Sequence, residues 1–246
     1  MTVDDASVMM TPNPTANPTP GWTTTRTRLE DYFDRTAFDA WTALTSDAPV
    51  SKIRATVRAG RDDMRNTLLS WLPQDLTGRR ILDAGCGTGA LAVEAARRGA
   101  DVVGIDVSPQ LISIAVERAP RGLPGKLSFL SGDMADPRLG SFDHIVSMDV
   151  LIHYQADEIA VATAALASRA TQSLIFTFAP GTPLLRTARA VGRLFPRSDR
   201  SPTIVPVDHS DLLARLGRSL PAARMGRDTR ISRGFYTSHA QEVLTA

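Results

Sequence analysis

The 246-residue chain has a single cysteine, Cys86, so no disulfide can form within it, and a disulfide-stapled secreted scaffold is excluded. Lysine is nearly missing. Only Lys52 and Lys126 are lysine, and the other 26 of the 28 basic residues are arginine. With 26 acidic residues the net charge is only +2, too little to argue for nucleic acid as a partner. Arginine forks suit carboxylates and phosphates, although a genome rich in arginine codons gives the same composition. Apolar runs such as Ser173–Phe178 fall far short of the ~20 residues that span a membrane. Residues 1–20 carry Asp4 and Asp5 and have no basic start or apolar core, so no secretory signal is expected. These absences fit a cytoplasmic location. The chain is 43% hydrophobic and 22% charged, which excludes a fibre or a wholly disordered protein and leaves enough apolar mass for one sizeable core.

Residues 1–22 read as an irregular tail, with Pro12, Pro14, Pro18 and Pro20 set among Thr and Asn. Residues 23–75 read as two helices. In the first, Leu29, Tyr32, Phe33, Ala37, Ala40, Trp41 and Leu44 share a face. In the second, Ile53, Val57, Met64, Leu68 and Leu72 point inward and Arg54, Arg58, Arg61 and Arg65 outward, with Pro73 as the stop. Residues 76–180 then alternate. Strands are expected at 80–84, 101–106, 127–130, 142–148 and 174–178, with helices at 90–98, from Ser108-Pro109, and at 157–169. Such alternation builds an α/β domain with a mostly parallel sheet covered on both faces. Residues 181–225 form a proline-punctuated insertion with a helix near 210–216. Residues 226–246 supply two last strands, at 230–236 and 241–244.

The sharpest motif is Asp83-Ala84-Gly85-Cys86-Gly87-Thr88-Gly89, between a buried strand and a helix. Glycines permit a tight turn and a close ligand approach, and the helix start offers free N–H groups. Gly85, Gly87 and Ala90 also satisfy the looser dinucleotide fingerprint. Asp83 favours S-adenosylmethionine instead, because a carboxylate there attracts a cationic amino group and repels a pyrophosphate. Asp106 lies 21 residues after Gly85, where an acid accepts from ribose hydroxyls in either ligand class. Around these, Cys86, Gly89, Val107 and Ser108 complete the expected cofactor lining, with Asp133 and Met134 on the adenine and Met148 nearby. No spacing suggests a protein-bound metal.

With these motifs the core resembles class I S-adenosylmethionine-dependent methyltransferases, a Rossmann-like fold whose seven-stranded sheet ends in an antiparallel strand. The flanking stretches narrow the resemblance. Asp31–Trp41, Met148-Asp149-Val150-Leu151-Ile152-His153-Tyr154, Phe176–Pro180 and Gly192–Pro196 are similar to magnesium-protoporphyrin O-methyltransferases of (bacterio)chlorophyll synthesis. The resemblance implies methyl transfer to one propionate of magnesium protoporphyrin IX, with that magnesium belonging to the substrate. It also implies contact with the large porphyrin-binding subunit of magnesium chelatase, and at most a peripheral place on the photosynthetic membrane.

A propionate is ionised at neutral pH, so its methylation needs alignment and exclusion of water rather than a strong base. His153, just past the fourth core strand, is the expected catalytic residue, orienting the propionate or contacting the porphyrin metal rather than abstracting a proton, with a capping or packing role as the alternative; Tyr32, Trp41 and Tyr154 are expected beside it at the substrate. His144 reads as a core residue, and His209 and His239 carry no pattern. Residues 184–197 place Leu184, Ala188, Val191 and Phe195 opposite Arg186, Arg189, Arg193 and Arg197. Three roles stay open for that helix: a solvated surface, a lid over the porphyrin, or a membrane or partner surface. The alternatives for the whole chain are a quinone or other small-molecule O-methyltransferase and a non-catalytic porphyrin carrier.

Overall fold

A computed structural model describes residues 7–9, 20–35, 45, 51–181 and 204–245. The chain opens with a short strand β1 (Ser7–Met9) and two helices, α1 (Pro20–Arg35) and α2 (Lys52–Trp71). It then alternates through β2 (Arg80–Ala84), α3 (Ala90–Arg97), β3 (Asp101–Asp106), α4 (Pro109–Arg118) and β4 (Lys126–Ser131). After these come β5 (Phe142–Ser147), α5 (Ala156–Ala167) and β6 (Ala170–Phe178). Helix α6 (His209–Ser219) and the hairpin β7 (Arg224–Arg233) and β8 (Tyr236–Leu244) follow.

The strands form one sheet in the order β1-β4-β3-β2-β5-β6-β8-β7. All neighbours up to β6 are parallel, and β8 runs antiparallel to both β6 and β7. Successive strands run outward from β2 in both directions, so the order reverses between β2 and β5. A crevice opens at the carboxyl ends of those strands, which is where ligands sit in open α/β sheets. The strands that flank it are buried on both faces and are built from Ile, Leu and Val accordingly. One core lies under α5 and α6 with Leu29 of α1; the other lies under α2, α3 and α4. Helix α4 starts as expected, with the Ser108 hydroxyl accepting from Leu111 N–H and Pro109 in the first turn.

Several expectations need correction. The sheet has an eighth strand, because Ser7–Met9 of the supposed irregular tail pairs in parallel with Phe129–Ser131 of β4. Those three residues contain no proline, and they cover an edge that β4 otherwise leaves open. Helix α1 begins at Pro20; Ala37, Ala40, Trp41 and Leu44, placed on its apolar face above, lie outside the described residues. In α2 Met64 and Leu68 are buried, as is Leu72 just past its end, but Ile53 is exposed, and Arg58, Arg61 and Arg65 do not simply face solvent. The strand expected over 230–236 runs through a turn: β7 stops at Arg233, Gly234 takes a positive φ of 58°, and β8 begins at Tyr236. The strand expected at 241–244 is the end of β8, and apolar periodicity misses its earlier part because both faces of the strand are buried and include polar Ser238, Gln241 and Glu242.

The insertion leaves the sheet at Pro180 and returns at Val207, which form a parallel bridge, with Gly181 N–H on Val207 O and Val207 N–H on Ala179 O. The arginine-bearing stretch 184–197 lies outside the described residues. None of the described helices is long and apolar enough to cross a membrane.

Candidate active site

The crevice holds a cavity of about 320 Å³, inside the usual range of small-molecule sites. Its floor is the glycine loop. Gly85 N–H and Cys86 N–H both donate to Ile105 O, which pins the loop to β3. Gly85, Gly87 and Gly89 all have positive φ. At Gly85 a Cβ would lie 2.1 Å from Val150 Cγ2, and at Gly89 one would lie 2.5 Å from the Phe129 ring, so neither position has room for a side chain.

Three carboxylates stand around this floor. Asp83 is buried, and its Oδ2 accepts from Ala92 N–H at 3.0 Å. Burial, with the Asp106 charge adding, pushes the Asp83 carboxyl up to about 7 against the opposing pull of that hydrogen bond. Asp106 caps the loop, accepting from Gly87 N–H at 2.9 Å and Ser108 N–H at 3.0 Å. Asp133 accepts from Ala135 N–H at 2.8 Å and lies 3.4 Å from Arg26 Nη1 of α1. Burial and the two nearby acids, Asp83 and Asp106, hold the Cys86 thiol well above its ordinary range, so it stays protonated.

Of the residues singled out from the sequence, Asp83, Gly85, Cys86, Gly87, Asp106, Val107, Asp133, Met134 and Met148 line this one cavity, as do His153 and Tyr154. Gly89 and Ser108 do not: each caps a helix and shapes the cavity from behind. Tyr32 is half-buried on α1 and is not part of the lining, and Trp41 lies outside the described residues. His153 ends a 3₁₀ turn, Leu151–His153, which carries the chain from β5 over the cavity. Tyr154 is almost fully buried, and that burial, with Asp133 nearby, raises its hydroxyl, so it stays neutral. His144 is a core residue with Nδ1 2.8 Å from Ser173 Oγ. His209 and His239, which had no pattern, meet Asp228 in a cluster whose ligand-type atoms lie within 4.8 Å of one another. Hydrogen bonds already serve it: His239 Nε2 is 2.9 Å from Asp228 and His209 Nε2 is 3.2 Å from Gln241.

Sequence reading misses Asp149. It is buried beside the cavity with φ 59°, the only non-glycine positive φ among the described residues. Arg61 Nη1 of α2 lies 2.5 Å from its Oδ2, while Tyr236 OH donates to Oδ1 at 2.9 Å and Ser238 Oγ lies 3.4 Å away. Its own N–H donates to Thr177 Oγ1 at 2.7 Å. One residue thus joins α2, β6 and β8 at the end of β5. In the sequence it stood only as one residue of the Met148–Tyr154 stretch that carries the resemblance, with no local pattern to mark its partners.

A reversed strand order, a glycine loop preceded by an acid, and a second acid at the end of the next strand together define an S-adenosylmethionine-dependent methyltransferase with a Rossmann-like fold. Comparison with known proteins agrees. A family described as "Methyltransferase domain" matches residues 81–172, and one described as "Magnesium-protoporphyrin IX methyltransferase C-terminus" matches residues 147–245. A magnesium-protoporphyrin O-methyltransferase of Rhodobacter capsulatus is 52% identical over 88% of this chain and 95% of its own length. One of Synechocystis sp. is 32% identical over 89% and 96%. The crystal structure of magnesium protoporphyrin IX methyltransferase from Synechocystis PCC 6803 with bound SAH superposes with a TM-score of 0.79 at 30% identity, over 89% of this chain and 99% of that one. The chain belongs to the magnesium-protoporphyrin O-methyltransferase family.

Proposed function

We infer that this protein transfers the methyl group of S-adenosylmethionine to one propionate carboxylate of magnesium protoporphyrin IX, releasing the monomethyl ester and S-adenosylhomocysteine. The observation that carries the reading is the make-up of the cavity: the glycine loop of the general methyltransferase domain faces Met148–Tyr154, within the segment matched by the porphyrin-specific family. The cofactor supplies an electrophilic methyl on a sulfonium.

The chain's residues do the rest. Asp83 takes the amino group of the amino-acid end, Asp106 the ribose hydroxyls, and Asp133 with Met134 the adenine. The acceptor carboxylate is ionised at neutral pH, so no general base is required. Holding oxygen, carbon and sulfur in line is a device that can lower a barrier by ~7–11 kcal/mol. His153 sits at the right end of β5 to orient the propionate. A quinone substrate would need a phenol deprotonated, and neither the cavity's tyrosine nor its thiol is a base for that. Burial keeps the cavity's tyrosine neutral, and its one thiol is held protonated.

The test is incubation of the purified protein with labelled S-adenosylmethionine and magnesium protoporphyrin, with metal-free and zinc porphyrins alongside. One equivalent of label should enter a monomethyl ester. Binding of S-adenosylhomocysteine without methylation of any porphyrin would instead indicate a carrier. For His153, His153→Asn should retain measurable activity and His153→Phe should lose more, with no steep pH dependence in single turnovers. A dependence that vanishes in His153→Asn would show proton abstraction. A cytoplasmic location at the periphery of the photosynthetic membrane, and contact with the large porphyrin-binding subunit of magnesium chelatase, belong to the same proposal and are supported by the family resemblance.

A further inference from the structure

Helix α2 turns a row of arginines into the cavity. Arg58, Arg61 and Arg65 recur at spacings of three and four, so they share a face, and all three line the pocket. Two contacts fix that face. A Cβ on buried Gly60 would lie 2.6 Å from Tyr236 Cδ1, so the backbone of α2 rests directly on the tyrosine ring. Next to it, Arg61 is tied to Asp149.

The three arginines are held differently. Asp149 is almost wholly buried, so the Arg61 pair cannot open without stranding a charge, and Arg61 stays where it is. Arg65 pairs with Asp62 at 2.9 Å, but the side chains keep 26% and 44% of their exposure. Pairs this open contribute little and give way to a better partner. Arg58 stands about one turn before Arg61 on the same wall.

We propose that Arg58 and Arg65 form a carboxylate-binding site on the cavity wall, with Arg61 as the fixed post between them. The chemistry recognised is a carboxylate that must be held but must not react. An arginine fork binds both oxygens of such a group, and by drawing on their lone pairs it would slow a carboxylate that had to attack. Given the function proposed above, two groups in the site fit that description: the carboxylate at the amino-acid end of the cofactor, and the porphyrin propionate that is not methylated. In the second case the pair also decides which propionate reacts.

The experiment compares wild type with the double variant Arg58→Gln/Arg65→Gln, and with Arg58→Lys/Arg65→Lys as a charge-retaining control. Dissociation constants are measured for S-adenosylmethionine, its decarboxylated form, magnesium protoporphyrin and the porphyrin monomethyl ester. The Gln pair should weaken one carboxylate ligand tenfold or more, with partial recovery in the Lys pair. Weakened porphyrin with unchanged cofactor, and a lost preference for the diacid over the ester, assigns the site to the propionate. Weakened S-adenosylmethionine with unchanged decarboxylated cofactor assigns it to the amino-acid carboxylate. Affinities within twofold of wild type for all four ligands, or equal losses with and without the carboxylate, overturn the site. Turnover by wild type is scored separately, so a failure of the functional reading leaves these affinities interpretable.

Discussion

Asp83 carries opposed demands. To hold a cationic amino group it must be ionised, yet it is buried against a loop that also carries Asp106, and its carboxyl is pushed up to about 7. In the unfolded chain it titrates near 3.8. The ligand-free fold therefore keeps full stability from this group only at low pH, and loses it as pH rises through about 7. Asp83→Asn keeps an oxygen for Ala92 N–H and removes the buried charge. It should raise the melting temperature of the ligand-free protein at pH 8 while weakening S-adenosylmethionine by roughly ten- to a hundredfold. In wild type, affinity for that cofactor should fall as pH drops below 7, and the slope should flatten in Asp83→Asn; calorimetry across pH 5.5–8.5 reads both. Asp149 is the contrasting acid, because its charge is answered by Arg61 and two hydroxyls. Asp149→Asn tolerates the positive φ but leaves Arg61 facing a neutral group. Breaking a buried pair costs ~3–5 kcal/mol, which is on the order of 10 °C in melting temperature for a chain of this size. A shift under 2 °C would remove Asp149 as the post that joins the elements.

Among the elements, α2 does the most to shape the site, and its placement yields a paired test. Glycine inside a helix ordinarily costs ~0.5–1 kcal/mol against alanine. At Gly217 of α6 an added Cβ meets nothing within 4 Å, so Gly217→Ala should raise the melting temperature by a few degrees. At Gly60 the same atom meets the Tyr236 ring at 2.6 Å, so Gly60→Ala should lower it and also weaken substrate binding, because the arginine face swings away. Equal effects at the two sites would show that α2 does not bear on the ring. The same helix shows how far the sequence could be read. The glycine loop, the β2–α3–β3–α4 order and the Ser108 cap were all legible, because turn, cap and buried-strand residues act within a few positions of each other. Asp149, Arg61 and Tyr236 were not. They are separated by 87 or 88 positions, and the chemistry that unites them exists only after the sheet has ordered β5, β6 and β8 side by side. Outward arginines are the local expectation for an amphipathic helix; the cavity beside α2 and the buried charge of Asp149 reverse it.

At the scale of the molecule, the cavity draws walls from both cores: Leu29, Met134 and Tyr154 belong to one, Leu91 and Cys86 to the other. A ligand there should therefore stabilise both faces of the sheet together. At a hundred times its dissociation constant S-adenosylhomocysteine contributes ~2.7 kcal/mol, so a single unfolding transition should move up by about 5–10 °C. Two transitions, of which only one moves, would show that the faces unfold independently. The Tyr236–Asp149 hydrogen bond also has a meaning in time. The two residues are 87 positions apart, and a ribosome adding ~5–20 residues per second needs about 4–17 s to travel from one to the other. During that interval the nascent chain already carries the glycine loop and Asp149, but not the Tyr236 and Ser238 hydroxyls that steady it. The wall that Asp149 anchors is therefore complete only once the final hairpin has been synthesised and has closed on it.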